Sequence, residues 1–89
     1  MKAIVTVIGK DQTGIIAGVC AILSAHGVNV MDISQTILQD YFTMMMLVEV
    51  SKLDMPFADF AKTLETDGET RGLSIRVQRE DIFNAMHKI

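Results

Sequence analysis

Four stretches of this chain alternate with the period of a β-strand, and two of them are apolar on both faces; this inequality most constrains the fold. In residues 2–8, Ala3, Val5 and Val7 point one way and Ile4, Thr6 and Ile8 the other. In residues 41–50, Phe42, Met44, Met46, Val48 and Val50 share one face, and Met45 and Leu47 the other. A strand with two apolar faces is predicted to lie inside a sheet. The other two stretches differ. Residues 28–39 carry Asn29, Asp32, Ser34, Gln35 and Gln39, and residues 73–78 alternate Leu73, Ile75 and Val77 with Ser74, Arg76 and Gln78. Both read as edge strands.

Between the strands the period changes to that of a helix. Ile15, Val19, Ile22, Leu23 and His26 recur at helical spacing, with Thr13 as the expected N-cap and Gly27 just past the end. A second helix opens at Asp54-Met55-Pro56, with Asp54 as its expected cap. It buries Phe57, Phe60, Ala61 and Leu64 and ends at Gly72. Gly68 either stops it early or permits close approach to the sheet. Asp40 is the expected turn between the second and third strands.

The order β-α-β-β-α-β predicts an α+β, ferredoxin-like domain with a four-stranded antiparallel sheet, the first and third strands central. Right-handed crossovers put both helices on one face. One domain spans 1–89, with the core fold at 1–79 and an amphipathic tail helix at 80–89 marked by Ile82, Phe83, Met86 and Ile89. The face away from the helices is expected to show Ile4, Ile8, Met31, Ile33, Ile37, Met45 and Leu47, depending on register. A second subunit or the tail helix should cover it.

Composition narrows the classes of function. Among 89 residues, 49% are hydrophobic and the net charge is −3, with eight Lys and Arg scattered along the chain. That argues against a nucleic-acid footprint and for self-association. Gln12 to Met31 carries no Asp, Glu, Lys or Arg and contains Gly14-x-x-x-Gly18, yet Thr13, Ser24, His26 and Asn29 interrupt it. A buried helix is expected there rather than a membrane span. The single cysteine, Cys20, and the start of the chain without a leader pattern point to the cytoplasm. His26 and His87 lack partners at metal-ligand spacing, so no metal or other cofactor is expected. No nucleophile–base arrangement stands out, so a non-catalytic role is expected.

The loop Asp11-Gln12-Thr13-Gly14 joins a central strand to a helix start at Ile15. Backbone N–H groups and the positive end of the helix dipole favour a carboxylate there. Gly14 lets a ligand approach the backbone, and Asp11 can pair with an ammonium group. Asp32 either meets a ligand or the backbone near the edge, or faces solvent and discourages aggregation.

The run Val7-Ile8-Gly9-Lys10-Asp11-Gln12-Thr13-Gly14-Ile15-Ile16-Ala17 resembles the first strand and loop of ACT domains. Gly27-Val28-Asn29-Val30-Met31-Asp32-Ile33-Ser34-Gln35 resembles their second strand. Gln39 to Met44 and Gln78 to Ile89 resemble free-standing bacterial and archaeal ACT proteins, a family similar to the ACT halves of the glycine cleavage system transcriptional repressor. The resemblance implies a regulatory, non-catalytic module that binds an amino acid at a homodimer or higher homo-oligomer interface. It implies that Asn29, Val30, Met31 and Asp32 of a neighbouring subunit form the wall opposite the loop of Asp11, Gln12, Thr13, Gly14 and Ile15. An interaction or assembly module without a small ligand is the alternative.

Overall fold

The computed structural model describes residues 1–10 and 12–81. Its elements are β1 (Lys2–Lys10), α1 (Ile15–Ala25), β2 (Asn29–Leu38), β3 (Tyr41–Glu49), α2 (Phe57–Arg71) and β4 (Leu73–Arg79). The sheet order is β2-β3-β1-β4, every neighbouring pair antiparallel. The two strands with two apolar faces are the inner pair, as their pattern requires.

The core lies between the sheet and the helices. Ala3, Val5 and Val7 of β1, Phe42, Met44, Met46 and Val48 of β3, and Leu73 and Ile75 of β4 meet Ile15, Val19 and Leu23 of α1 and Phe60 and Leu64 of α2. Full burial of each of these side chains larger than alanine contributes about 1.5–3 kcal/mol. No polar or charged residue is buried among the described residues, so this layer is held by packing.

Two local expectations are corrected, and that of a turn at Asp40 holds. Thr13 does not cap α1: the N-cap is Gly14, at φ 84, with no side-chain hydrogen bond. Asp54 does not cap α2, whose N-cap is Pro56. The Asp54 carboxylate instead lies 3.1 Å from His26 Nδ1, and its backbone N–H donates to the His26 carbonyl. The β2–β3 turn is made by Gln39, at φ 56, together with Asp40.

The face away from the helices is also narrower than expected. Pairing shifts by one residue between Val30 and Asp32, so Met31 is a β-bulge. That extra residue reverses the alternation of everything after it. Ile33 and Ile37 pair with Met46 and Phe42 and so join the helix side. The open face retains Ile4, Ile8, Met45 and Leu47, with Asp32 and Ser34 beside them. The expected tail helix starts at Glu80 and Asp81; its remaining residues, 82–89, lie outside the described residues.

Gly68 serves close approach, not termination. A methyl group there would stand 2.8 Å from Ile75 Cγ1 and 2.9 Å from the Leu73 carbonyl. α2 continues to Arg71 and ends at Gly72, at φ 74 with open space around it. Gly68→Val is therefore expected to lower stability by about 1–3 kcal/mol. Gly72→Asn, which tolerates the left-handed region, is expected to lose less than about 1 kcal/mol. Urea midpoints of the two variants check this contrast.

Candidate functional site

The loop between β1 and α1 is fixed from below by another part of the chain. Gly9 packs so closely on the start of β4 that a methyl group would stand 2.5 Å from a Leu73 methyl. Gln12 Nε2 donates to the Arg71 carbonyl at 3.2 Å, in the last turn of α2. The Arg71 guanidinium crosses over Gly18 of α1 and donates to Asp67 Oδ2 at 2.7 Å. A side chain on Gly18 would displace it.

Above this base, the first turn of α1 has neither a capping side chain nor an acidic residue. Backbone donors and the positive dipole end there favour an anion. A depression of about 240 Å³ opens there. Gln12 and Gly14 form its floor, Ile15, Ile16 and Ala17 one wall, and Gln35, Ile37 and Phe42 the other. Five residues of this set were missed by sequence reasoning: Ile16, Ala17, Gln35 and Ile37 stand exposed around it, and Phe42 is buried behind them. The signal was the two-residue hairpin. It pairs Leu38 with Tyr41, which itself pairs with Lys10, and so carries the end of β2 toward the loop.

Of the expected site residues, Gln12, Gly14 and Ile15 line the depression, Thr13 lies between them, and Asp11 is outside the described residues. Asn29, Val30, Met31 and Asp32 are not brought to it within one chain. They occupy the opposite end of β2, roughly 20 Å away at the rise of a strand. Val30 is half-buried, Met31 is the bulge, and Asp32 lies on the open face. Its Oδ1 accepts the Ile33 N–H at 2.9 Å.

Near that far end Glu49 collects donors. Its Oε1 accepts from the Met1 ammonium at 2.9 Å and from the Ser51 hydroxyl and N–H at 2.8 and 3.0 Å. The ammonium first, then the Ser51 groups, lower the Glu49 carboxyl from 4.5 to about 2. Elsewhere, a shallow hollow of about 390 Å³ beside Asp59, Lys62, Thr63 and Thr66 is space between side chains on the outer face of α2. Cys20 is a free, half-buried thiol. Among the described residues no group of His, Cys, Asp and Glu is placed to hold a metal ion, and no helix is long and apolar enough to cross a membrane.

The family model for the ACT domain matches residues 2–78. The chain belongs to the ACT-domain family. Within that family it is similar to proteins labelled UPF0237 in bacteria and archaea. One from Bifidobacterium longum is 53% identical, covering 99% of this chain and 98% of the relative. One from Methanocaldococcus jannaschii is 47% identical over the same shares. Among solved structures, an ACT domain protein from Streptococcus pneumoniae is 45% identical, with a TM-score of 0.83 and 98% of each chain covered. A glycine cleavage system transcriptional repressor shares the fold, with a TM-score of 0.72 at 23% identity, covering 88% of this chain and 44% of its own. ACT domains are typically regulatory, ligand-binding modules rather than catalysts.

The lowered Glu49 carboxyl sets a pH dependence for this ACT domain. A depressed folded-state value stabilises fully above about 4.5, and that stabilisation fades as pH falls toward about 2. Glu49→Gln is expected to show a shallower loss of melting temperature over that window than the parent. Both ion-pair partners are partly exposed, so added salt should narrow the difference.

Proposed function

We propose that this ACT domain is a regulatory module that binds an amino acid at the interface of a homodimer formed by two β2 edges. The carrying observation is the juxtaposition of the uncapped start of α1 with an edge strand that is exposed along nearly its whole length. A ligand carboxylate would meet the helix N-terminus, as an anion does at such ends. The Gln12 and Gln35 amides can orient its polar groups, and Ile16, Ile37 and Phe42 supply apolar contact.

The second copy follows from β2 itself. Its outer edge has no neighbouring strand among the described residues, and Met31, Ile33, Ile37 and Leu38 are exposed along it. Such a strand is a template for pairing. Antiparallel pairing of two β2 strands about a two-fold axis near Ile33 and Ser34 sets residues 29–32 of one copy beside residues 35–38 of the other. The segment remote from the loop within one chain would thereby become its neighbour across the dimer. Val30 and Met31 would then close the depression, with Asp11 and Thr13 at its rim. Asp32, on the far face, would sit behind this wall. The same reading makes residues 1–79 the sensing unit and 80–89 an appended tail, in a cytoplasmic protein.

Ligand binding to the folded state must raise apparent stability, by about 2.7 kcal/mol at a hundredfold excess over Kd. For a domain of this size that is a shift on the order of 10 °C. Thermal melting with each of the twenty amino acids at millimolar concentration is expected to show such a rise for at least one of them. Ile16→Glu places a fixed carboxylate at the uncapped helix start. It is expected to leave the melting temperature without ligand unchanged or slightly higher and to remove the ligand's effect. Flat melting curves across all twenty would end this reading.

A further inference from the structure

We infer that Arg71 is the positioning residue of the candidate site: it clamps the β1–α1 loop and the first turn of α1 to the end of α2, and so sets which group Gln12 offers to a ligand. The clamp has two arms. The Arg71 carbonyl, in the last turn of α2, has no partner within its own helix and accepts from Gln12 Nε2 at 3.2 Å. The Arg71 guanidinium lies against Gly18, one turn into α1, with Cζ 3.0 Å from where a methyl group would stand. Asp67 Oδ2 accepts from Arg71 Nε at 2.7 Å and steadies the side chain from its own helix. The next residues complete the grip. Gly72 turns the chain at φ 74, and Leu73 packs on Gly9. Three consecutive residues thus hold the loop before, within and after its bend.

Two local preferences are given up for this contact. Glycine inside a helix is less favourable than alanine, yet a side chain at Gly18 would displace the guanidinium. A cation near the start of a helix opposes its dipole, yet this one rests on a residue about 6 Å along the axis from Gly14. Asp67 and the C-terminal end of α2 offset that charge. Departures from local rules collect at functional sites. Arginine suits the role because its planar fork lies flat where the facing helix has no side chain.

The clamp also fixes the chemistry that Gln12 presents. A carbonyl only accepts, so the Arg71 carbonyl draws the amide nitrogen of Gln12 toward α2 and leaves Oε1 as the amide's acceptor. Gln12 forms part of the floor of the depression. The ligand group selected there is a donor, an ammonium or an N–H. This assignment of ligand chemistry rests on the depression being a ligand site; the clamp itself does not.

Native-state hydrogen exchange of the full chain tests the clamp without any ligand. The Gly18 amide, bonded to the Gly14 carbonyl at 2.9 Å, reports opening of the first turn of α1, and the Val5 and Val7 amides of β1 report opening of the core. Arg71→Met, which keeps an unbranched apolar stem, is expected to speed exchange at residue 18 about tenfold relative to Val5 and Val7, with circular dichroism unchanged. Gly18→Ala is expected to speed it too, although alanine is the better helix former. In an Arg71→Met background, where nothing is displaced, Gly18→Ala should instead slow exchange. Slowing in both backgrounds, or unaltered exchange in Arg71→Met, would overturn the clamp. Thermal melting with the twenty amino acids separates this from the ligand reading. An amino acid that stabilises the parent is expected to lose at least half its effect in Arg71→Met and in Gly18→Ala, and its counterpart without the amino group should give no shift. Full effect in both variants would overturn the positioning role, and an equal shift from the counterpart would overturn the donor assignment. A parent unmoved by all twenty would end the ligand reading, and with it the donor assignment, while the exchange rates still decide the clamp.

Discussion

Two right-handed crossovers in one short chain govern the rest of this molecule. β1 passes through α1 to β2, and β3 passes through α2 to β4, and each return is sterically comfortable in one hand. Both helices therefore land on the same side of the sheet. That side becomes the core, with Phe60, Leu64, Val19 and Leu23 packed on β1, β3 and β4. The other side keeps no helix of its own among the described residues. Because α1 returns to the outermost strand, β2 is the least covered element, and only Val30 of its ten residues is even half-buried.

The site depends on the same geometry. The β1–α1 loop would be an unsupported turn were it not for the end of α2 and the start of β4 beneath it. Leu73 crowds Gly9, and the Arg71 carbonyl accepts from Gln12. Residues about sixty positions away in sequence thus hold the loop, and residues from β2 and β3 complete the depression over it. In the proposed dimer each chain would hold half of the site, and whatever completed it would also change how the copies associate.

Much of the architecture was legible from residue types, and the errors have identifiable causes. The centrality of β1 and β3 followed from two apolar faces, a local property of the strand pattern. Gly27 and Gly72 took left-handed conformations after their helices. Thr13 and Asp54 failed as caps because tertiary partners intervened: the loop needed Gly14 at φ 84, and His26 claimed Asp54. Ile33 and Ile37 were placed on the wrong face because a bulge at Met31 inserts one residue without any distinctive residue type. The wall formed by Gln35 and Ile37 was missed for a related reason. It depends on counting back from the hairpin turn, not on any motif.

Alone, the sequence determined the order and kind of the elements, the inner and outer strands, and the family. Each is written in short-range periodicity or in residues that lie close together along the chain. The tertiary structure decided which side chains share a face, what holds the loop, and which surfaces remain uncovered. Those outcomes turn on register and on contacts between distant segments. A single extra residue in β2 exchanges its two faces, and nothing in the local pattern records that choice until the strand is paired.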